Sequence, residues 1–399
     1  MKFTKAGAIA ADTRLVSKLT GIRRDIHQHP ETAFEEVRTS DLVAEALTAL
    51  GITIHRGLGK TGVVGTLQGK RPGQRRIGLR ADMDALFIHE ATGLPYASKI
   101  DGKMHACGHD GHTAMLLGAA EKLAADPDFV GTVHFIFQPA EEGLGGGRVM
   151  IEDGLFDLFP CDAVYGVHNA PKSPLGKVET RPGALMAAGD TWEVIFKGTG
   201  GHGAMPHMAT DATVAAGHFI SGLSSIISRN VPANERAVIS VGHIHAGDYN
   251  SPNIIPSRVI VRGTARSYVP EVRDTLERRL GELASGCAAA QGVEAHLIYT
   301  RRYPPLVNAP AQTELAARAA AATSGAENVD ADCAPLGGSE DFSFMLEKVP
   351  GAYVMIGNGD GENSHFVHTP GYDFNDALIP YGVAYWMNIV ALELGDAAD

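Results

Sequence analysis

Residues 105–112 read His-Ala-Cys-Gly-His-Asp-Gly-His, three histidines, a cysteine and an aspartate in eight positions. Thiolate, imidazole and carboxylate together are the donor set of a zinc-type site. So dense a cluster constrains the fold, because the other ligands and any catalytic base must be brought to it from elsewhere in the chain. Cys107 and His109, at Cys-x-His spacing, can both reach one metal. A lone buried cysteine beside a surface histidine is ordinary; five donor-type groups in eight residues are not.

Other apolar runs end on donor-type residues. Gly78-Leu-Arg-Ala-Asp82-Met-Asp84 closes a strand with two carboxylates that can share a face and support metal-bound histidines from behind. Its competing reading is a solvated turn. The strand His134–Gln138 runs into Pro139-Ala140-Glu141-Glu142-Gly143. Adjacent carboxylates repel, and one keeps its proton unless cations offset the charge. A metal supplies that offset, one glutamate serving as ligand and the other taking a proton from water. The competing reading is a glutamate pair favoured by a helix dipole. Val164-Tyr-Gly-Val-His168-Asn169 and His365-Phe-Val-His368-Thr-Pro370 repeat the pattern. With 107, 109 and 142 these make five candidate ligands on separate elements, which suits two metals better than one closed structural zinc.

Gly198-Thr-Gly200-Gly-His202-Gly203 spells G-x-G-x-x-G, but Pro206 interrupts the expected helix start and no acid lies between Ala212 and Asn234 to hold a ribose. Those glycines let the backbone turn tightly and present His202 and His207. Gly337-Gly-Ser339-Glu340-Asp341-Phe342 is a glycine turn entering a helix, either with Ser339 as cap and Phe342 packed inside, or as a wall of a substrate site. Neither G-x-S-x-G nor H-E-x-x-H occurs, which removes support for a serine hydrolase or a thermolysin-like enzyme.

Periodicity predicts helices over 13–27, 35–50 and from about Gly111 to Ala125, and strands over 62–69, 76–81, 132–138 and 163–168. Beyond Pro182 the order is strand 191–198, helix 212–229, strands 237–246 and 258–267, helix 271–291 and strand 294–299, a β-α-β-β-α-β unit of ferredoxin-like type. Helix 313–324, strand 352–357 and helix 377–394 resume the first texture. The expected fold is α/β, a mainly parallel sheet in a catalytic domain of residues 1–182 and 301–399, interrupted by an α+β domain of residues 183–300.

Lys+Arg 34 against Asp+Glu 46 gives a net charge of −12, which argues against nucleic acid as the main partner but not against a small anionic substrate. Four scattered cysteines are no disulfide framework and fit a reduced, cytoplasmic setting. No run of about 18 apolar residues predicts a membrane span.

The motifs Asp25–Glu31, Leu79–Leu86, Met104–His112, Gln138–Glu142, Gly200–His207, Gly338–Phe342 and His368–Gly371 together resemble the metal-dependent amidohydrolases of the aminoacylase/carboxypeptidase clan, most closely the hippurate hydrolase and auxin-conjugate hydrolase branch. The resemblance implies two divalent metals bound by Cys107, His109, Glu142, His168 and His368, with Glu141 as general base. It implies that the inserted domain is a lid and dimerisation domain in a homodimer or homotetramer. It further implies that His202 steadies an oxyanion and that Asn253 contacts substrate, with a weaker role for Arg301 or Arg302 in gripping a carboxylate. Asp82, Asp84 and Glu340 are weaker supporting or substrate-contacting candidates, and His105, Asp110 and His112 fall to supporting or helix-start positions. Asp82-Met-Asp84 departs from the clan's His-x-Asp, so zinc, manganese, cobalt and nickel all stay open. The implied reaction is hydrolysis of a small N-acyl amino acid. Alternatives are a dipeptidase or N-carbamoyl hydrolase on the same scaffold, an amidase using Cys107 as nucleophile with His109 or His112, and a non-catalytic metal-binding or regulatory protein.

Overall fold

Strands that are apolar on both faces need cover on both faces, and four of them lie parallel at the centre of an eight-stranded sheet. In order across the sheet they are Val130–Gln138, Arg71–Asp82, Ala163–Ala170 and Gly351–Gly357. Phe135, Phe137, Leu79, Tyr165 and Val354 on these strands are fully buried. Register brings their carboxyl ends level: Asp82 lies opposite Gln138, Arg80 opposite Gly166, and His168 opposite Met355. Antiparallel Val63–Gln68 and Thr53–Arg56 extend one edge, and the two-residue strands Val178–Glu179 and Val329–Asp330 the other. The strand Arg71–Asp82 begins ahead of the predicted Arg76, because its exposed first half carries no burial pattern to read.

The computed structural model describes residues 1–362 and 364–395 in two compact units. The sheet belongs to the first, made of Met1–Leu185, Val307–Ala334 and Asp341–Asp399. Helix Thr13–Gln28, capped by the Asp12 side chain, buries Leu15, Leu19 and Ile26. Helices His109–Ala125 and Ile379–Leu394 are buried nearly all round. The segment Asp376–Leu394 is apolar and long enough on average to cross a membrane, yet 72% of its most apolar 18-residue stretch is buried, as in the core helix of a globular unit, in keeping with the lack of an unbroken apolar run.

The second unit comprises Met186–Leu306 and Pro335–Glu340. Its antiparallel sheet runs Ala237–Ala246, Arg258–Ser267, Ala188–Lys197, Glu294–Tyr303. Helices Ala212–Asn230 and Pro270–Ala290 contribute Phe219, Leu223, Leu276 and Leu280 to a core with Trp192, Val194, Phe196 and Val261. The β-α-β-β-α-β connections are those of a ferredoxin-like fold. Buried Asp190 accepts from Arg273 Nε at 2.8 Å, Arg273 Nη2 at 2.5 Å and Tyr299 Oη at 2.8 Å. Asp190→Ala leaves a buried guanidinium uncompensated and is expected to cost about 3–5 kcal/mol. Urea unfolding of the variant beside the parent checks this.

Candidate metal centre

The donor residues gather at the carboxyl ends of the parallel strands, where ligands bind in open α/β sheets. Gly108, between Cys107 and His109, has φ +102, and a Cβ there would stand 2.3 Å from Asn169 Nδ2 and 2.6 Å from Tyr372 Oη. Only glycine fits that close left-handed turn. The helix therefore starts at His109, two residues before the predicted Gly111; its polar first turn, His-Asp-Gly-His, reads as loop.

His109 Nδ1 donates to Asp84 Oδ1 at 3.1 Å. Its Nε2 is buried without a hydrogen-bond partner, aimed among other donors. A carboxylate on one ring nitrogen with the other left open is how metal-bound histidines are oriented. His168 repeats the device: Nδ1 donates to the Asn169 carbonyl at 2.7 Å, and Nε2 lies 3.3 Å from Cys107 Sγ. Burial, then neighbouring His112, lowers the His168 pKa to about 4, so its ring is neutral and its lone pair available.

His112 and Asp82 stand behind them. The Asn169 backbone N–H donates to His112 Nε2 at 3.1 Å, which leaves the His112 proton on Nδ1, donated to Asp82 Oδ1 at 2.6 Å. Asp82 Oδ2 accepts from Arg80 Nη1 at 2.7 Å.

After the strand ending at Gln138 the backbone doubles back through left-handed residues Ala140 (φ 54), Gly143 (φ 87) and Gly145 (φ 70). Glu141–Leu144 is a four-residue turn with non-helical geometry at Glu142 and Gly143, not the start of a regular helix. The Glu142 N–H donates to Asp84 Oδ2 at 2.9 Å, so Asp84 ties this turn to His109. Glu142 Oε1 lies 3.0 Å from His368 Nε2. His368 also has a left-handed backbone, φ 62, with its N–H donated to the Ala106 carbonyl at 2.7 Å. Glu141 is 6% exposed, and Oε1 accepts from the Asp341 N–H at 3.4 Å.

Among the donor groups whose ligand atoms lie within 4.8 Å of one another are Cys107, His109 and His168; Cys107, Glu142 and His368; His109, Glu141 and Glu142; and Asp82, His109 and His112. Thiolate, imidazole and carboxylate donors, with the buried His109 Nε2 lacking a hydrogen-bond partner, fit a divalent cation.

The electrostatics agree. Burial alone would lower the His109 pKa, but Asp82, Asp84 and Glu142 raise it to about 10. Burial, then Glu142, Glu141 and Asp82, pushes the Cys107 thiol well above its ordinary value. The Cys107–His168 approach resembles a nucleophilic pair, yet a thiol held protonated by burial and carboxylates is a poor nucleophile.

The remaining candidates are placed as follows. His105 is fully buried and makes no hydrogen bond among the described residues. Asp110 accepts from His27 Nδ1 at 2.9 Å, and its pKa is far below the usual carboxylate range: burial would raise it, but His27, His105 and Arg23 outweigh that. In the second unit, Gly201–His202 pairs with Ile254–Ile255, and the Gly203 N–H donates to the Asn253 carbonyl at 2.7 Å, so this ribbon brings His202 and Asn253 together. Glu340 is buried and groups with that unit. Ser339 caps no helix: the following helix, Ser343–Leu346, has Phe342 at its N-cap and no side-chain cap. Phe342 is fully buried, its ring 5.4 Å from that of Tyr353. Arg301 is not left to grip a substrate carboxylate, being paired with Asp274 and Glu277 on the neighbouring helix. Sequence reading missed Glu36, Gln138, Asn169 and Asp341, whose side chains hold the site's backbone. The one signal for Gln138, Asn169 and Asp341 was position within the motifs, and Glu36 lay in none of them, since nothing in an acid or amide marks the distant N–H or carbonyl it will bond.

Residues 78–392 match the model of peptidase family M20/M25/M40. A hippurate hydrolase of Campylobacter jejuni is 41% identical over 92% of this chain and 94% of its own. An N-acetylcysteine deacetylase of Bacillus subtilis is 38% identical over 96% and 99%. The crystal structure of the Bacillus subtilis YXEP protein, described as a dinuclear metal binding peptidase of the M20 family, superposes with a TM-score of 0.81 at 34% identity, covering 95% of this chain and 98% of that one. The turn around Gly108, the paired glutamates and the interrupted sheet all lie in or around the matched span, and the chain belongs to peptidase family M20/M25/M40.

Proposed function

We propose that this protein hydrolyses the amide bond of small N-acyl amino acids, releasing a carboxylic acid and a free amino acid, with Glu141 as the general base. The observation that carries the reading is a buried glutamate beside a set of thiolate, imidazole and carboxylate donors, one residue from a donor itself. Relatives named for hippurate and N-acetylcysteine point to the same bond, an acyl group on an amino-acid nitrogen.

Cys107, His109, Glu142, His168 and His368 are the proposed ligands of two divalent ions, with zinc, manganese, cobalt and nickel all compatible with mixed S/N/O donors. Cys107 falls in both ligand groups that contain a histidine on a loop or strand end, which supports a shared role. When bound, such ions acidify water and polarise an amide carbonyl. Glu141 takes a proton from the attacking water and returns it to the leaving nitrogen, so no net proton is consumed at the enzyme. Asp84 and the Asn169 carbonyl hold the two imidazoles in the tautomers that leave Nε2 open. His202 is proposed to steady the oxyanion and Asn253 to contact substrate. The inserted unit is proposed as lid and dimerisation surface of a cytoplasmic homo-oligomer, with all four cysteines free.

Glu141→Gln is expected to lower kcat by about a hundred- to ten-thousand-fold, with metal content unchanged. Elemental analysis and turnover on a panel of N-acetyl, benzoyl and indolyl-acetyl amino acids check both; parental activity would remove Glu141 as base. Metal uptake is also expected to depend on pH. In the metal-free protein His109, raised to about 10, and the thiol of Cys107, pushed well above its ordinary value, both carry protons at neutral pH. A cation must displace them, so apparent affinity rises with pH, by up to about tenfold per unit for each proton released. Calorimetric titration in buffers of different ionisation enthalpy counts those protons; no pH dependence between 6 and 9, roughly the span below those values, contradicts the ligand assignment.

A further inference from the structure

The turn carrying Glu141 is held by carboxylates that lie outside it. The Ala140 N–H donates to Glu36 Oε1 at 3.0 Å, the Phe34 N–H donates to the same oxygen at 3.0 Å, and Glu36 Oε2 accepts from the Thr61 hydroxyl at 2.7 Å. Glu36 and Ala140 are both fully buried. At the other end of the turn the Gly147 N–H donates to Asp341 Oδ2 at 2.8 Å. Asp341 also accepts from Gln138 Nε2 at 2.8 and 2.9 Å and from Arg80 Nη2 at 3.0 Å. The segment between them contains a non-glycine residue with φ 54, a conformation that persists only where its surroundings over-determine it.

We propose that Glu36 and Asp341 are the positioning residues of the catalytic base: by accepting the Ala140 and Gly147 N–H groups they clamp both ends of the left-handed turn that aims Glu141. Neither needs to touch substrate or metal. Glu36 reaches Glu141 through the preceding peptide, and Asp341 through Gly147 and its own N–H on Glu141 Oε1. The proposal rests on Glu141 being the base.

The two sites respond differently to an amide. Glu36→Gln keeps a carbonyl oxygen for the two backbone donors and turns its NH2 toward a hydroxyl that can accept. Glu36→Met fills similar space with no such acceptor. Asp341 accepts on both oxygens from donors alone, so Asp341→Asn sets an NH2 against an N–H. The expected result is kcat within about threefold of parent for Glu36→Gln and at least about thirtyfold lower for Glu36→Met and Asp341→Asn, with KM and metal content within about twofold. Hydrogen exchange at the Ala140 amide should quicken at least about tenfold in Glu36→Met and stay near parent in Glu36→Gln, with or without metal. Parental kcat in Glu36→Met, or a loss of kcat matched by loss of metal, overturns the proposal. If Glu36→Met fails to fold, Glu36→Gln against Asp341→Asn decides, and equal activity in those two overturns it. If Glu141→Gln keeps parental activity the base assignment has failed, an outcome separate from the exchange rate at Ala140, which reads the clamp alone.

Discussion

Negative charge buried at one end of a parallel sheet is the constraint on which the rest of this structure depends. Asp82, Asp84 and Glu141 are nearly inaccessible, and Glu142 lies beside them. Carboxylates so placed would ordinarily hold protons. Arg80, itself buried, offsets part of the charge by bridging Asp82 and Asp341. The raised pKa of His109 is the residue of the imbalance: the cluster draws whatever cation is available, and a proton on an imidazole is the weakest of them. A divalent ion would satisfy the same demand without a proton on His109.

Precision in such a cluster comes from backbone conformations that most residues avoid. Gly108, Ala140, Gly143 and His368 all have positive φ, and each adjoins or is a donor residue. Alanine and histidine there carry strain that flanking hydrogen bonds must outweigh. For His368 the restraint is the Ala106 carbonyl, which couples the last proposed ligand in the chain to the segment bearing the first. For Ala140 it is Glu36. The strained positions thus sit where distant segments are tied together, so the donors are held by tertiary contacts and not by local propensity.

Those ties mark what could be read in the sequence and what could not. The parallel strands were legible because Val130–Gln138 and Ala163–Ala170 are continuous apolar runs, and the second unit because its helices and strands alternate with clear periods. The donor residues stood out by type and by position at strand ends. Helix His109–Ala125 was placed late because a polar turn after a left-handed glycine has no apolar period. The pairing of Arg301 with two acids on the neighbouring helix, and the uncapped Ser343–Leu346, depend on which side chains meet in space. Glu36 stayed silent for the same reason: more than a hundred residues separate it from the amide it holds.

Cys107 shows how one environment serves two opposite ends. The carboxylates around it push the thiol up, and a protonated thiol neither attacks an amide nor binds a metal well. A cation held by His109 and Glu142 would reverse the sign of the local field, and a thiol that coordinated it would lose its proton. The negative field that disfavours a nucleophilic thiol is therefore also what would draw the positive charge that favours a thiolate. Asp82 cannot offer a neutral donor while it is committed to Arg80 and His112. Cys107, the soft donor among the proposed ligands, lies within reach of His109 and His168 and of Glu142 and His368.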